Sequence, residues 1–191
     1  SALLVKVTGG RDFTLRNVTL RNAPSWHLAV LNVSGVLLEG VSIVADKPVE
    51  RFNTRNVGGL SILNPSGVLF HVSGCRIISG DDNIEISSVS TAEDPNVPRR
   101  FELTRNVLVE DTYFGDGHGA SMHTGQDVVY RRCIFNGTGN GVRIKATPFH
   151  GGTASNISYE DLRMIDVGTP IFVDLDYGGD GNLPKESSTP T

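Results

Sequence analysis

The amino-acid sequence predicts an all-β chain wound as a right-handed parallel β-helix, a solenoid of about six coils. Pairs of short strand-like runs recur along the chain, and no helical pattern of convincing length appears. The first runs of these pairs begin at residues 13, 36, 68, 107, 128 and 157, so that successive starts are 21 to 39 residues apart. The shortest repeat has no room for a crossover helix, so equivalent strands of successive coils are expected to pair.

Each repeat joins a first run to a shorter second run. Residues 13–20 and 128–135 are examples of the first run, and residues 83–86 and 141–145 are examples of the second. In both kinds of run apolar residues occupy alternate positions, which places every second side chain in a continuous core. A β-sandwich also contains many short strands, but it does not require a repeat of paired strands, so the β-helix is favoured.

The repeat also predicts the organisation of the chain. Residues 1–182 are expected to form a single β-helix domain, and residues 183–191 a polar tail. Neither end has a recognisable cap, so the chain is interpreted as a fragment of a longer helix or as one capped from elsewhere. Residues 87–100 contain prolines and acids that interrupt the repeat, which predicts a long loop forming one wall of a groove.

Composition argues against several kinds of partner. The 191 residues carry a formal net charge of -4, which provides no general attraction to nucleic acid or to anionic membranes. No apolar run is long enough to span a bilayer, and no signal peptide is recognisable. Asn-x-Ser/Thr sequences permit glycosylation, so a secreted or extracellular location is predicted. These sequences begin at Asn17, Asn32, Asn136 and Asn156.

The two cysteines do not form a disulfide framework. Cys75 and Cys133 fall at matching places of the repeat, two coils apart. Neighbouring strands lie about 4.8 Å apart, so the two residues should be separated by roughly 9–10 Å. A disulfide requires Cα atoms within about 7 Å, so two free and buried thiols are predicted.

Three polar motifs fall on second runs of successive coils. The first is the acidic pair Asp81 and Asp82, the second is His118 between two glycines, and the third is Arg143-Ile-Lys145. Second strands of a β-helix stack into one sheet, so the three motifs are expected to meet. The glycines beside His118 are expected to let a sugar approach the backbone closely.

Arg143 and Lys145 are two positions apart on a strand, so their side chains share a face. Inside the coil they would be unpaired buried charges, which is prohibitively costly, and an outward cationic patch is therefore predicted. A guanidinium can bind a carboxylate through two hydrogen bonds and an ammonium adds a point charge, a combination suited to an acidic sugar. Alternatively, the two cations only neutralise Asp81 and Asp82.

Residues 79–86, 117–119 and 143–145, in this order, resemble the active-site signature of the polygalacturonase family of glycoside hydrolases. Members of that family cut pectin and fold as right-handed parallel β-helices. The resemblance implies inverting hydrolysis of α-1,4-galacturonan, with an acidic polysaccharide as partner and with no cofactor or metal. A monomer is expected, and the net charge predicts neither nucleic acid nor membrane as a partner. It covers nearly all of this chain but only the middle of a typical member.

The same resemblance implies a role for each site residue. Asp81 would be the general acid that protonates the leaving oxygen, Asp82 would help to hold the attacking water, and His118 would support protonation of the acid. Neighbouring like charges oppose ionisation, so the pKa of one of the two carboxyls is expected to be raised. The residues implied to bind the substrate are Arg143, Lys145 and Tyr177.

The sequence departs from the family pattern one coil before the acidic pair. Family members carry an Asn-Thr-Asp-Gly motif there, whose aspartate shares the work on the water. The ungapped match puts Gly58 at the place of that acid, a shifted match puts Arg55 there, and no carboxylate lies between Glu50 and Asp81. Activity is therefore expected to be weakened. Asn83 also replaces the usual cysteine after the acidic pair, which is expected to affect packing more than chemistry.

Three other functions are compatible with a β-helix of this kind. A catalytically inactive relative would bind pectin or another acidic polysaccharide without turnover, and Gly58 favours that reading. A structural or adhesive β-helix would make the motif matches accidental. A lyase would use calcium bridged by several acids, and no cluster of acids across adjacent strands is evident.

Overall fold

The computed structural model describes residues 3–46, 57–90, 101–146, 153–175 and 177. Within these ranges the chain forms three parallel sheets and one short antiparallel pair. No helix of the described residues is long and apolar enough to cross a membrane. The predicted parallel β-helix is confirmed.

Each coil contributes one strand to each of the three sheets in turn. The first three coils contain β1 (Val5–Thr8), β2 (Arg11–Arg16), β3 (Thr19–Arg21), β4 (Leu28–Leu31), β5 (Ser34–Glu39), β6 (Ser42–Val44), β7 (Leu60–Leu63), β8 (Phe70–Ser73) and β9 (Arg76–Ser79).

The fourth coil carries the inserted pair between its first and second strands. Its strands are β10 (Ile84–Ile86), the inserted β11 (Val89–Ser90) and β12 (Phe101–Glu102), then β13 (Arg105–Glu110) and β14 (Tyr113–Asp116). The remaining strands are β15 (Ala120–Met122), β16 (Gly125–Arg131), β17 (Ile134–Asn136), β18 (Asn140–Lys145), β19 (Ala154–Glu160), β20 (Arg163–Ile165) and β21 (Thr169–Asp174).

The functional motifs lie at or beside the strands of one sheet. Its strand order is β1-β4-β7-β10-β15-β18-β21, and neighbouring strands are parallel. The acidic pair precedes β10, His118 precedes β15, and the two cations lie within β18. The stacking expected to bring the motifs together is therefore present.

The predicted division into two strands per coil is wrong, because each coil has three. The long first runs bend in the middle: residues 13–20, for example, divide between β2 and β3. At this bend every coil has a residue with positive φ, which turns the chain sharply and ends the strand. These residues are Asn17, Gly40, Gly74, Asp111, Arg132 and Asp161, with φ between 50 and 61°. Glycine, asparagine and aspartate adopt this conformation most readily, which explains their recurrence at the bend.

Alternate side chains of the strands fill a continuous core. Leu28, Leu60, Ile84 and Ala120 are aligned in register and almost fully buried. Cys75 and Cys133 are free and buried, as predicted. Burial raises the pKa of the Cys133 thiol to about 11.

The predicted loop at 87–100 begins and ends in an antiparallel ladder. Val89 pairs with Glu102 and Ser90 with Phe101, so the insertion leaves and re-enters the helix at adjacent points. Residues 91–100 lie outside the described residues, as do the tail at 183–191 and residues 53–56.

At the C-terminal end of the stack of coils, β21 is the last strand of its sheet in the described part of the chain. Ile171, Val173 and Leu175 are exposed there, at 70%, 61% and 69%. No strand in the described part of the chain lies beyond β21 to cover these side chains.

Candidate active site

Asn83 fixes the turn that carries the two acids. Its buried side-chain amide donates to the carbonyl oxygens of Ile77 (3.1 Å) and Gly115 (3.0 Å). Its Oδ1 accepts the N–H of Gly119 at 2.7 Å. One side chain therefore ties the acidic turn to the next coil, which is the packing role expected of this position.

Asp81 and His118 lie on neighbouring coils and form a close pair. Oδ1 of Asp81 lies 3.1 Å from Nδ1 of His118 and accepts the backbone N–H of Asp82 at 2.7 Å. The backbone carbonyl of Asp81 accepts the N–H of His118 at 2.9 Å and the hydroxyl of Ser79 at 2.8 Å. Backbone and side chain together hold the carboxyl and the imidazole in contact.

Asp82 is buried among donors. Lys145 Nζ lies 2.6 Å from its Oδ2, and Arg143 Nη1 lies 3.3 Å from its Oδ1. The hydroxyl of Ser121 donates to the same Oδ1 at 2.5 Å. The side chain of Asp82 is only 4% exposed, whereas that of Asp81 is 19% exposed. Asp81 is thus the carboxyl that an incoming ligand reaches more easily.

The predicted outward cationic patch needs correction. Arg143 and Lys145 do share one face, but each residue is only 7% exposed. Their charges are compensated by Asp82, so their burial does not carry the cost of unpaired charges. The sequence also allowed an alternative, in which the two cations only neutralise the acidic pair. The geometry matches that alternative for Asp82.

Tyr177 completes this cluster. Its hydroxyl accepts a hydrogen bond from Arg143 Nη2 at 2.6 Å. Its ring centroid lies 4.8 Å from Cζ of Arg143 and 5.5 Å from Nζ of Lys145, distances typical of cation–π contacts. The structure therefore brings all the predicted site residues together.

The expected rise in a carboxyl pKa is not found at Asp81, whose pKa is lowered. Burial raises this pKa, but the hydrogen bonds from His118 and from the Asp82 backbone and the charges of His118 and Lys145 outweigh burial. Attraction and hydrogen bonding to the carboxylate of Asp81 are therefore stronger here than the cost of its burial.

The glycines beside His118 serve a purpose different from the one expected. Both have positive φ, at 61° for Gly117 and 73° for Gly119. A Cβ on Gly117 would lie 2.3 Å from the carbonyl oxygen of Asp81, and one on Gly119 would lie 2.2 Å from that of Asn140. The backbone of neighbouring coils, not a sugar, requires glycine at these two positions.

Gly58 lies beneath an aromatic ring. A Cβ at this position would be 2.4 Å from Cε3 of Trp26 and 2.5 Å from Cδ2 and Cζ3. The volume that a side chain would need at position 58 is therefore filled by indole.

Sequence reasoning missed two further groups close to the acidic pair, Glu85 and His123. Glu85 accepts hydrogen bonds from Ser61 (3.2 Å) and Ser87 (3.0 Å), and lies 3.3 Å from Nε2 of His123. Burial raises the pKa of Glu85, but the bond and charge of His123, the bond of Ser87 and the charge of Lys145 lower it overall. An acid between two isoleucines of a strand, on the outward face, was the signal that could have revealed it.

The ligand atoms of Asp81, Asp82 and His118 lie within 4.8 Å of one another, close enough to hold a metal ion. Both carboxylate oxygens of Asp82 already contact cationic side chains. That positive charge opposes a metal ion, so the cluster fits an acid–base site better than a metal site.

The stacked sheets, with two acids, a histidine and two buried cations at one face, define the class of protein as a glycoside-hydrolase β-helix. The chain belongs to glycosyl hydrolase family 28, whose family description matches residues 2–190. This membership confirms the resemblance to polygalacturonases.

Relatives and solved structures agree with this membership. The chain is 31% identical over 183 residues to "Exopolygalacturonase clone GBGA483" of Arabidopsis thaliana, covering 91% of this chain and 36% of that protein. It is 28% identical over 178 residues to "Endo-polygalacturonase" of Pectobacterium parmentieri, covering 91% and 40%.

The solved structure of the polygalacturonase from Erwinia carotovora ssp. carotovora superposes with a TM-score of 0.77 at 26% identity, over 92% of this chain and 43% of that one. An endo-xylogalacturonan hydrolase from Aspergillus tubingensis shares the fold, with a TM-score of 0.77 at 15% identity. The chain spans less than half the length of each of these proteins.

Proposed function

We propose that this protein hydrolyses α-1,4-galacturonan, the polymer of pectin, with Asp81, Asp82 and His118 as its catalytic residues. The observation that carries the proposal is the unequal environment of the two acids. Asp81 is partly exposed and bonded to an imidazole, whereas Asp82 is buried between two cations. One carboxyl can act as the general acid and the other as the base only if their environments differ. The relatives are polygalacturonases by name, which supports galacturonan as the substrate.

Asp81 is the general acid because it is the more accessible of the two carboxyls. In the free protein its pKa is lowered, which favours the carboxylate. A bound sugar excludes water and brings its own negative charge, and both effects raise the pKa of Asp81. Substrate binding thus leads Asp81 to take up the proton that it delivers to the glycosidic oxygen. His118 orients it through the bond at 3.1 Å.

Asp82 orients the attacking water. A carboxylate has about four lone-pair directions, and among the described residues Ser121, Arg143 and Lys145 occupy three of them, which leaves one for the water. Attack from the face opposite the leaving group inverts the anomeric carbon. Position 58 supplies no second carboxylate, so the step is slower than with a pair of acids holding the water.

Arg143 and Lys145 attract the carboxylate of the sugar with their positive charge. The ring of Tyr177 packs against both cations, so the carboxylate of the sugar approaches them beside that ring. The hydroxyl of Tyr177, held by Arg143, contributes a further polar contact.

The test is release of reducing ends from polygalacturonic acid by the intact protein, with sugar binding measured in parallel by calorimetry. We expect turnover that Asp81→Asn lowers at least a hundredfold, the usual contribution of a general acid, while binding persists. The matched control is Asp127→Asn, since Asp127 lies on β16, in a different sheet from the site, and accepts a hydrogen bond from Asn156. Saturable binding without any turnover would assign the chain to the inactive, pectin-binding alternative.

We also propose that the protein acts outside the cell as a monomer. Its Asn-x-Ser/Thr sequences are compatible with secretion. Recovery of the protein in the culture medium, and its elution on size exclusion at the mass of one chain, would support both parts. Retention inside the cell or elution as a dimer would contradict them.

A further inference from the structure

One row of positions runs across the coils just before the strands of the sheet that contains β4, β7, β10 and β15. Leu28, Leu60, Ile84 and Ala120 are aligned in register on β4, β7, β10 and β15. Two residues before each of them come, in the same order, Trp26, Gly58, Asp82 and His118. The row therefore leads from an aromatic residue into the catalytic cluster. At about 4.8 Å per coil, Trp26 lies two coils, or roughly 10 Å, from the level of Asp82.

Trp26 and Gly58 fit together as one unit. The three nearest ring carbons of Trp26 are almost equally distant from a Cβ at position 58, at 2.4, 2.5 and 2.5 Å. Equal distances mean that Gly58 lies under the face of the ring and not at its edge. Any side chain at position 58, a carboxylate included, would have to displace the indole.

The backbone around Trp26 is firmly anchored. The carbonyl oxygen of Trp26 accepts the N–H of Leu4 at 3.0 Å. The next residue, His27, is fully buried and bonds the carbonyl oxygen of Gly58 twice, through its backbone N–H at 3.1 Å and its ring at 2.8 Å. Trp26 itself is neither buried nor fully exposed. A partly exposed aromatic side chain on an anchored backbone, close to polar catalytic residues, can bind a ligand at little entropic cost.

From these contacts we infer that Trp26 is a sugar-stacking residue, which forms a binding subsite for a pyranose ring two coils from Asp81, Asp82 and His118. The inference rests on the proposed function, because the ring belongs to the same polysaccharide chain. The apolar C–H face of the pyranose ring packs on the indole, while the charged groups of the sugar remain in contact with water and polar side chains. Gly58 is explained at the same time, since the indole needs the space that a family aspartate would fill.

The test uses emission from Trp26, the single tryptophan of the chain. An Asp81→Asn variant, which does not consume the ligand, is titrated with oligogalacturonate and followed by fluorescence and by calorimetry. The same titration of an Asp81→Asn/Trp26→Phe variant supplies the blank. We expect a saturable change in emission whose midpoint equals the calorimetric Kd.

Affinity provides the second measurement. Trp26→Leu should weaken oligogalacturonate binding by up to about tenfold, and Trp26→Phe by less, because phenylalanine retains an aromatic face. The control is Tyr113→Leu, since Tyr113 is an aromatic residue on β14, in another sheet. It should leave the affinity unchanged.

The outcomes separate this inference from the proposed function. Calorimetric binding with silent Trp26 emission and an unchanged Kd for Trp26→Leu would overturn the role of Trp26 alone. If no variant binds oligogalacturonate in the calorimeter, both the role of Trp26 and the proposed function are overturned. The emission measurement uses the natural side chain, so it decides the matter even if Trp26→Leu fails to fold.

Discussion

Nδ1 of His118 lies 3.1 Å from Oδ1 of Asp81, and the same oxygen accepts the backbone N–H of Asp82 at 2.7 Å. The more exposed acid of the site is thus held from two directions. Both bonds favour its ionised form, and they lower its pKa despite burial. His118 therefore orients the acid and also controls its protonation in the free protein.

His118→Ala should separate these two effects. Without the imidazole the pKa of Asp81 rises, because the strongest interaction opposing burial is lost. We expect kcat on polygalacturonic acid to fall about tenfold to a hundredfold, while the alkaline limb of the kcat/KM profile moves to higher pH. His71→Ala is the control, since this histidine lies on β8 and pairs with Glu110 on β13, in a different sheet from the site. A loss of activity with an unchanged pH profile would contradict control of the Asp81 pKa.

Lys145→Met should destabilise the protein strongly. Lys145 Nζ lies 2.6 Å from Oδ2 of Asp82, and both side chains are less than 10% exposed. Removal of the cation leaves a buried carboxylate short of one partner, at a cost of about 3 kcal/mol in the free energy of unfolding. Urea unfolding measures this cost.

Adding Asp82→Asn to Lys145→Met removes the uncompensated charge and should restore much of the lost stability. If the two changes are instead simply additive, the contact does not couple the two residues. Asp82→Asn alone serves as the remaining corner of the double-mutant cycle.

Gly58→Asp should not restore a third catalytic acid while Trp26 is present. The new Cβ would lie 2.4 Å from the indole, and overpacking of this kind costs about 1–3 kcal/mol of unfolding free energy. Trp26→Ala removes the clash, so Gly58→Asp should cost less stability in that background. Gly58→Ala in both backgrounds separates the steric effect from that of the charge. Equal costs in the two backgrounds would show that Trp26 does not occupy this space.

Glu85→Gln should flatten the acid limb of the stability curve. The folded-state pKa of Glu85 is lowered, so ionised Glu85 stabilises the fold above the pKa of the unfolded chain. This contribution is lost as the pH falls through the lowered value, below about pH 4. Urea unfolding between pH 7 and pH 3 should therefore show a smaller decline for Glu85→Gln than for the unaltered protein. Parallel curves would contradict the role of Glu85.

The sequence alone determined the architecture and the order of the motifs. Alternating apolar residues and a short repeat are local properties, and a repeat of 21 residues with no room for a crossover helix leads to stacked parallel strands. The meeting of Asp81 with His118 and Arg143 follows from that stacking. The lack of a carboxylate at Gly58 was also evident from the residues alone.

Only the tertiary structure decided how these residues interact. The bend at Asn17 and its equivalents depends on a left-handed backbone conformation that asparagine, aspartate and glycine can adopt but do not adopt wherever they occur. The burial of Arg143 and Lys145, the lowered pKa of Asp81 and the contact of Trp26 with Gly58 arise between coils. Such contacts depend on register and side-chain direction across strands remote in sequence, which local patterns do not encode.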